Sequence, residues 1–198
     1  MNKKLPRPLY KGNTSVEEAL TQRRSIREYQ DDMLYRVELS QILWSAVGIT
    51  GQPERRNIPS AGALNPLELC VVIGHVESIW PGVYRYHPHE NTLTEIRPDD
   101  QRRALHRAAL DQDMILQAAV VLVISAIYER TTEKYGDRGV QYVHMEVGAA
   151  AQNVYLQCVS LGLGTVYVGA FQDDAVQQAL GLPEDEHPLC LLPVGRLQ

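Results

Sequence analysis

Between Arg138 and Leu161 the residues Val140, Val143, Val147, Ala150, Val154, Cys158 and Leu161 recur at intervals of three and four. That spacing lays them along one stripe of a single α-helix, the longest the sequence predicts, and an apolar stripe of that length must be covered by other elements. Inside it, Gly148-Ala149-Ala150-Ala151 carries almost no side-chain bulk. Four small residues let a neighbour approach closely, whether a core element of the same chain or a second copy packed along a seam.

The remaining elements are shorter and mixed in type. Ser15-Val16-Glu17-Glu18 fits a capping box and predicts a short helix running into the arginines that follow. Leu39, Ile42, Leu43, Ala46 and Val47 mark an amphipathic helix within 34–49, and residues 100–117 and 173–180 read as two more, the last closed by Gly181 and Pro183. Strands are expected at 67–73, 82–86, 92–96, 119–127, 166–171 and 189–194, with His87-Pro88-His89-Glu90-Asn91 as a hairpin turn. Residues 1–13 read as a loose arm and 48–57 as a polar loop. With no internal repeat or linker, the 198 residues read as one domain (1–198) of α+β class.

Composition narrows the partners. A net charge of −5 and a pI near 5.7 argue against nucleic acid. The three cysteines, Cys70, Cys158 and Cys190, lie far apart in apolar surroundings and read as small core residues. No apolar run approaches the roughly 18 residues of a membrane span. The first residues lack the apolar stretch of a signal peptide, so a cytoplasmic location is expected. His87 and His89 flank a proline in a turn, and no spacing suggests a metal site.

Against this acidic background, Arg23-Arg24-Ser25-Ile26-Arg27 packs three guanidiniums and a hydroxyl into five residues. Arginine forks match phosphate oxygens two at a time, so the cluster suits an anion, although a salt-bridged helix end has the same composition. A second cluster, Arg102, Arg103 and Arg107 beside Asp99 and Asp100, reads as a solvated helix face. No Walker motif is present, and Gly162-Leu163-Gly164 follows a helix where a dinucleotide loop would follow a strand. A phosphate-bearing cofactor is the sharper expectation.

The ordered set Arg23-Arg24-Ser25-Ile26-Arg27, Pro59-Ser60-Ala61-Gly62-Ala63-Leu64-Asn65-Pro66, Pro81-Gly82-Val83-Tyr84, Lys134-Tyr135-Gly136, Gln152-Asn153, Gly169-Ala170-Phe171 and Pro193-Val194-Gly195-Arg196 resembles the nitroreductase-like flavoproteins. Within them it is most similar to the SagB-type dehydrogenase branch, which includes azoline-oxidising enzymes. The resemblance implies a mixed central β-sheet flanked by helices, a homodimer whose interface builds two cofactor sites, and non-covalent FMN, with NAD(P)H a possible electron donor. It implies that Arg23, Arg24, Ser25 and Arg27 hold the phosphate and ribityl chain and that Arg196 closes on the same phosphate. Ser60, Ala61, Gly62 and Ala63 would run along the flavin ring, and Asn65 would reach its polar edge. Gly169 and Ala170 would offer backbone N–H groups to the flavin nitrogen that accepts hydride, and Gln152 and Asn153 would lie nearby. Lys134 and Tyr135 match a catalytic pair of the azoline dehydrogenases. Two departures stand out: Ala149 follows Gly148 where the family often has His, and Asn65 stands where Tyr is more common. The substrate is then a small molecule or a modified peptide. Binding or consumption of flavin without ordinary turnover is the alternative.

Overall fold

The structure is a computed structural model that describes residues 2–51 and 55–198. Along the first half run β1 (Asn2–Lys4), α1 (Val16–Gln22), α2 (Arg36–Val47), β2 (Ile49–Gly51), β3 (Arg55–Arg56), β4 (Leu67–Ile73), β5 (Gly82–His87) and β6 (Thr92–Pro98). The second half adds α3 (Arg102–Ala108), α4 (Met114–Gln117), β7 (Val120–Ala126), α5 (Glu129–Tyr135), α6 (Arg138–Leu161), β8 (Leu163–Thr165), α7 (Asp173–Leu180) and β9 (His187–Arg196). Seven strands form one sheet in the order β1-β6-β5-β4-β7-β9-β8. Every ladder described in it is antiparallel, so the mixture of directions expected for the sheet is confined to the isolated parallel bridge between Leu34 and Val76. The class is α+β, as expected.

Strand periodicity explains the layers. In β4, Leu67, Leu69, Val71 and Ile73 join the core that also holds α2 residues Leu39, Ile42 and Leu43 and α6 residues Val143, Val147, Ala150 and Val154. Cys70 and Val72 point the other way, into a second core with Leu105 of α3, Ile115 of α4 and Leu180 of α7. The sheet is therefore covered on both faces, which is why its central strands read as continuous apolar runs. All three cysteines are buried free thiols, and burial pushes Cys70 up to about 12.

The long helix spans Arg138–Leu161 and ends at Gly162, whose φ of 67° is the left-handed turn that glycine adopts without steric cost. Its stripe divides. Val143, Val147, Ala150, Val154 and Cys158 are buried, whereas Val140 is 39% exposed; Met145, off the stripe, is 61% exposed. Gly148 faces open space.

Four expectations need correction. The N-terminal arm is tied down: Asn2–Lys4 pair with β6 and Leu5 is buried, because the edge strand leaves backbone groups to be satisfied. The loop at 48–57 contains the short β2–β3 pairing, with 52–54 outside the described residues. The helix expected over 100–117 breaks into α3 and α4 where Leu110 and Asp111 take φ of 57° and 56°. The strand expected at 166–171 is displaced to Leu163–Thr165, leaving a single bridge at Val168. There the N–H of Tyr167 leaves the sheet and donates to a side chain of α6.

Candidate functional site

The loop before β4 is built by unusual backbone geometry and one buried acid. Gly62, Ala63 and Asn65 all have positive φ, and Gly62 sits at 62°. Glu146 of α6, 4% exposed, reaches under the loop, where its Oε1 accepts the Ser60 hydroxyl at 2.9 Å and the Ala61 N–H at 3.0 Å. Ser60 Oγ in turn accepts the Asn65 N–H at 2.9 Å. Glu146 Oε2 is buried without a partner among the described residues. Burial raises this carboxyl above its ordinary value, against the pull of those two hydrogen bonds and of Arg56. The Asn65 amide, expected at the polar edge of the ring, donates back to Ala63 O at 3.1 Å and closes the turn. Arg130 of α5 ties the loop from the other side, donating to Asn65 O at 3.3 Å and pairing with Glu68 at 2.7 Å.

The same helix delivers Lys134 and Tyr135. A Cβ placed on Gly62 would lie 2.8 Å from Tyr135 Oη and 3.0 Å from Lys134 Nζ. Two segments distant in sequence thus meet across a residue that has no side chain. Lys134 is exposed, and the Tyr135 ring is braced edge-on by Tyr142, 5.2 Å away between centroids. Both polar atoms therefore face the loop.

The arginine cluster follows α1 as an extended segment. Arg23 lies over the ring of Tyr155, 5.2 Å from its centroid, and Ser25 Oγ is 3.0 Å from the Tyr155 hydroxyl. Arg27 is exposed. Arg24 turns back, donating to Thr21 O and Arg23 O at the end of α1, so one of its nitrogens is already committed to the helix end. Near this cluster, Gly169 and Ala170 are exposed, and neither N–H donates to a backbone or side-chain acceptor among the described residues.

Arg196 does not join the cluster. It forms a two-pronged pair with Glu38, at 2.7 and 2.9 Å, lies over Tyr35 and donates to Met33 O. The Glu38 carboxylate accepts these hydrogen bonds and holds the guanidinium in its charged form, so Arg196, expected at the phosphate, is engaged here in an internal ion pair. Asn153 likewise spends its amide on Asn57 O at 3.4 Å, while Gln152 is half-buried.

Two residues here were not anticipated, Glu146 and Tyr155. A signal existed for the first: an acid between Val143 and Val147 on the apolar stripe is costly unless it is hydrogen-bonded. Tyr155 had none, since a tyrosine beside Val154 reads as core. Nine residues apart on α6, they place the supports of the loop and of the arginine cluster about 14 Å apart along one rigid axis.

Together these groups offer guanidiniums and a hydroxyl for an anion, a loop of small residues, and unpartnered amides. That donor set fits a phosphate-bearing cofactor with a flat ring.

A family model described as the nitroreductase family matches residues 20–196. The Methanocaldococcus jannaschii protein MJ1384, which carries a provisional nitroreductase name, is 49% identical over 181 residues, 91% of this chain and 90% of its own. A solved structure from Ralstonia eutropha, also provisionally named a nitroreductase, superposes with a TM-score of 0.88 at 29% identity, covering 100% of this chain and 90% of that one. The Escherichia coli microcin B17-processing protein McbC is 29% identical over 136 residues, 66% of this chain and 50% of its own.

Proposed function

Because this chain belongs to the nitroreductase family, we propose that it is an FMN-dependent oxidoreductase of the SagB-type branch. The carrying observation is that α6 braces two donor sets at once, the Ser60–Ala63 loop through Glu146 and the Arg23–Ser25 segment through Tyr155. Arg23, Ser25 and Arg27 would hold the phosphate, with the uncommitted nitrogens of Arg24. The backbone of Ser60, Ala61, Gly62 and Ala63 would run along the ring. Gly169 and Ala170 would direct N–H groups at the ring nitrogen, where fixed donors favour added negative charge. When bound, FMN supplies a two-electron carrier that no protein side chain provides.

Lys134 Nζ and Tyr135 Oη lie against the loop and so suit proton transfer to or from a substrate placed there. In the primary reading the substrate is a small acceptor, a quinone or nitroaromatic, reduced at the expense of NAD(P)H. A second reading is favoured by the position of this pair: oxidation of an azoline-type peptide ring, for which bound FMN would supply the hydride acceptor and Lys134 or Tyr135 would take the ring proton. The resemblance to McbC supports it. A homodimer belongs to the same proposal, supported by the exposed Met145 and open Gly148 on α6 and by a groove of about 780 Å³ lined by Leu9, Tyr10, Trp44 and Leu156. No described helix is long and apolar enough to cross a membrane; a cytoplasmic location remains part of the proposal.

Purified protein mixed with excess FMN and desalted is expected to stay yellow; a colourless eluate overturns the assignment. Anaerobic NADPH or NADH should then bleach the flavin within seconds. Yellow protein that no nicotinamide reduces shifts the assignment to azoline oxidation, or to flavin binding without turnover if azoline peptides are also inert. Lys134→Ala should keep its flavin and lose roughly 100-fold or more in turnover of azoline peptide, and full activity in that variant would remove the lysine from the mechanism.

A further inference from the structure

Tyr155 is 8% exposed, and its hydroxyl takes part in two hydrogen bonds. The backbone N–H of Tyr167 lies 2.7 Å from Tyr155 Oη and can only donate, so the phenol oxygen accepts there. Its own proton needs an acceptor, because a buried hydroxyl without one bears the cost of lost hydration. The oxygen within reach is Ser25 Oγ, at 3.0 Å. In the arrangement that uses every proton, Tyr155 donates to Ser25, and the Ser25 proton then turns outward from an exposed residue. The Tyr155 ring also lies beneath the Arg23 guanidinium, where cation–π attraction holds the fork in place.

We infer that Tyr155 is a positioning residue for the phosphate of the cofactor: it fixes Ser25 as a hydroxyl donor and holds Arg23 beside it, so that both address one anionic group. The inference rests on the FMN reading above. The Tyr167 amide is what makes the arrangement directional, since by occupying the phenol as acceptor it leaves the phenol proton for Ser25.

The test compares FMN with riboflavin, which lacks the phosphate, by quenching of flavin fluorescence on the full-length protein. Tyr155→Phe keeps the ring under Arg23 and removes the hydroxyl. It is expected to weaken FMN binding about five- to twentyfold while riboflavin affinity stays within about twofold. Because Tyr155 acts through Ser25, the double variant with Ser25→Ala should bind FMN no more than about twofold more weakly than Ser25→Ala alone. FMN affinity equal to wild type in Tyr155→Phe overturns the inference. So does an equal loss for riboflavin, which would mean general distortion, or a full additional loss in the Ser25→Ala background. Wild-type protein that takes neither flavin would instead overturn the FMN reading. In that case calorimetric titration of the same variants with inorganic phosphate decides the role of Tyr155: weaker binding in Tyr155→Phe supports it, and unchanged binding removes it.

Discussion

Two arginine clusters look alike in sequence and end in opposite states. Arg102 is satisfied from within: its Nε and one terminal nitrogen clasp Asp100 at 3.0 and 2.7 Å, and the other donates to Leu116 O and Ala118 O at 3.1 and 2.7 Å. A Cβ on Gly74 would overlap this guanidinium, so the residue is packed as well as paired, and not merely part of a solvated face. Burial opposes ionisation of Asp100, but the hydrogen bonds from Arg102 outweigh it and lower the carboxyl. Arg23 and Arg27, by contrast, have no carboxylate partner among the described residues; Arg23 rests on an aromatic face and Arg27 is exposed. An arginine whose fork is filled by its own chain is a clamp. One whose fork is left open, beside an exposed serine hydroxyl, is equipped for a ligand.

Substitutions can break that contrast. Arg102→Ala should have the largest effect on the fold, a loss of roughly 3 kcal/mol from the clasp and the two capped carbonyls. Flavin affinity should not change, and equal urea midpoints for variant and wild type would refute the clamp. Arg23→Ala and Arg27→Ala should do the reverse, with unfolding midpoints preserved and FMN binding weakened by about 1.5–3 kcal/mol, ten- to a hundredfold. Retention of FMN by both variants would dismantle the proposed phosphate site. Arg196→Ala sharpens the comparison, because the sequence placed it with the open group and the structure with the closed one. It should cost about 2 kcal/mol of stability from the loss of the partly buried Glu38 pair, with FMN affinity within about twofold of wild type. A tenfold loss of FMN would return Arg196 to the phosphate.

The smallest effect tests the support of the loop. Because burial raises Glu146, the folded chain holds this proton to higher pH than the unfolded chain. Its stabilising contribution is complete below the ordinary value of 4.5 and is lost as pH rises through the elevated folded value. Glu146→Gln keeps an oxygen for Ser60 and Ala61 but does not titrate. Its unfolding midpoint should therefore gain on wild type between pH 4 and pH 8, and parallel profiles would show that the acid is not strained by its burial.

Local pattern was legible where one periodicity dominated. The long helix, β4 at 67–73 and α7 at 173–180 needed only the spacing of apolar residues and a closing glycine. Boundaries failed where a long-range partner overrode local preference. Residues 2–4 became a strand because β6 offered an edge, and the run after Thr165 left the sheet where the Tyr167 amide found a phenol on α6. The candidate site divides in the same way. Its residue types, Arg, Ser, Gly, Lys and Tyr, were visible as short motifs. Which arginine fork would be filled depended on Glu38 and Asp100, and spacing alone did not identify those acids as the partners that fill them.

By itself the sequence determined the helix–strand alternation, the apolar faces and the small-residue loop, because each follows from side-chain period and backbone sterics within a few residues. The tertiary structure alone decided that Lys134 and Tyr135 meet Gly62, that Glu146 and Tyr155 brace the loop and the arginine segment from one helix, and that Arg196 turns inward. Those outcomes depend on hydrogen-bond partners many residues away, and a buried donor or acceptor is committed only when the folded chain brings its partner within reach.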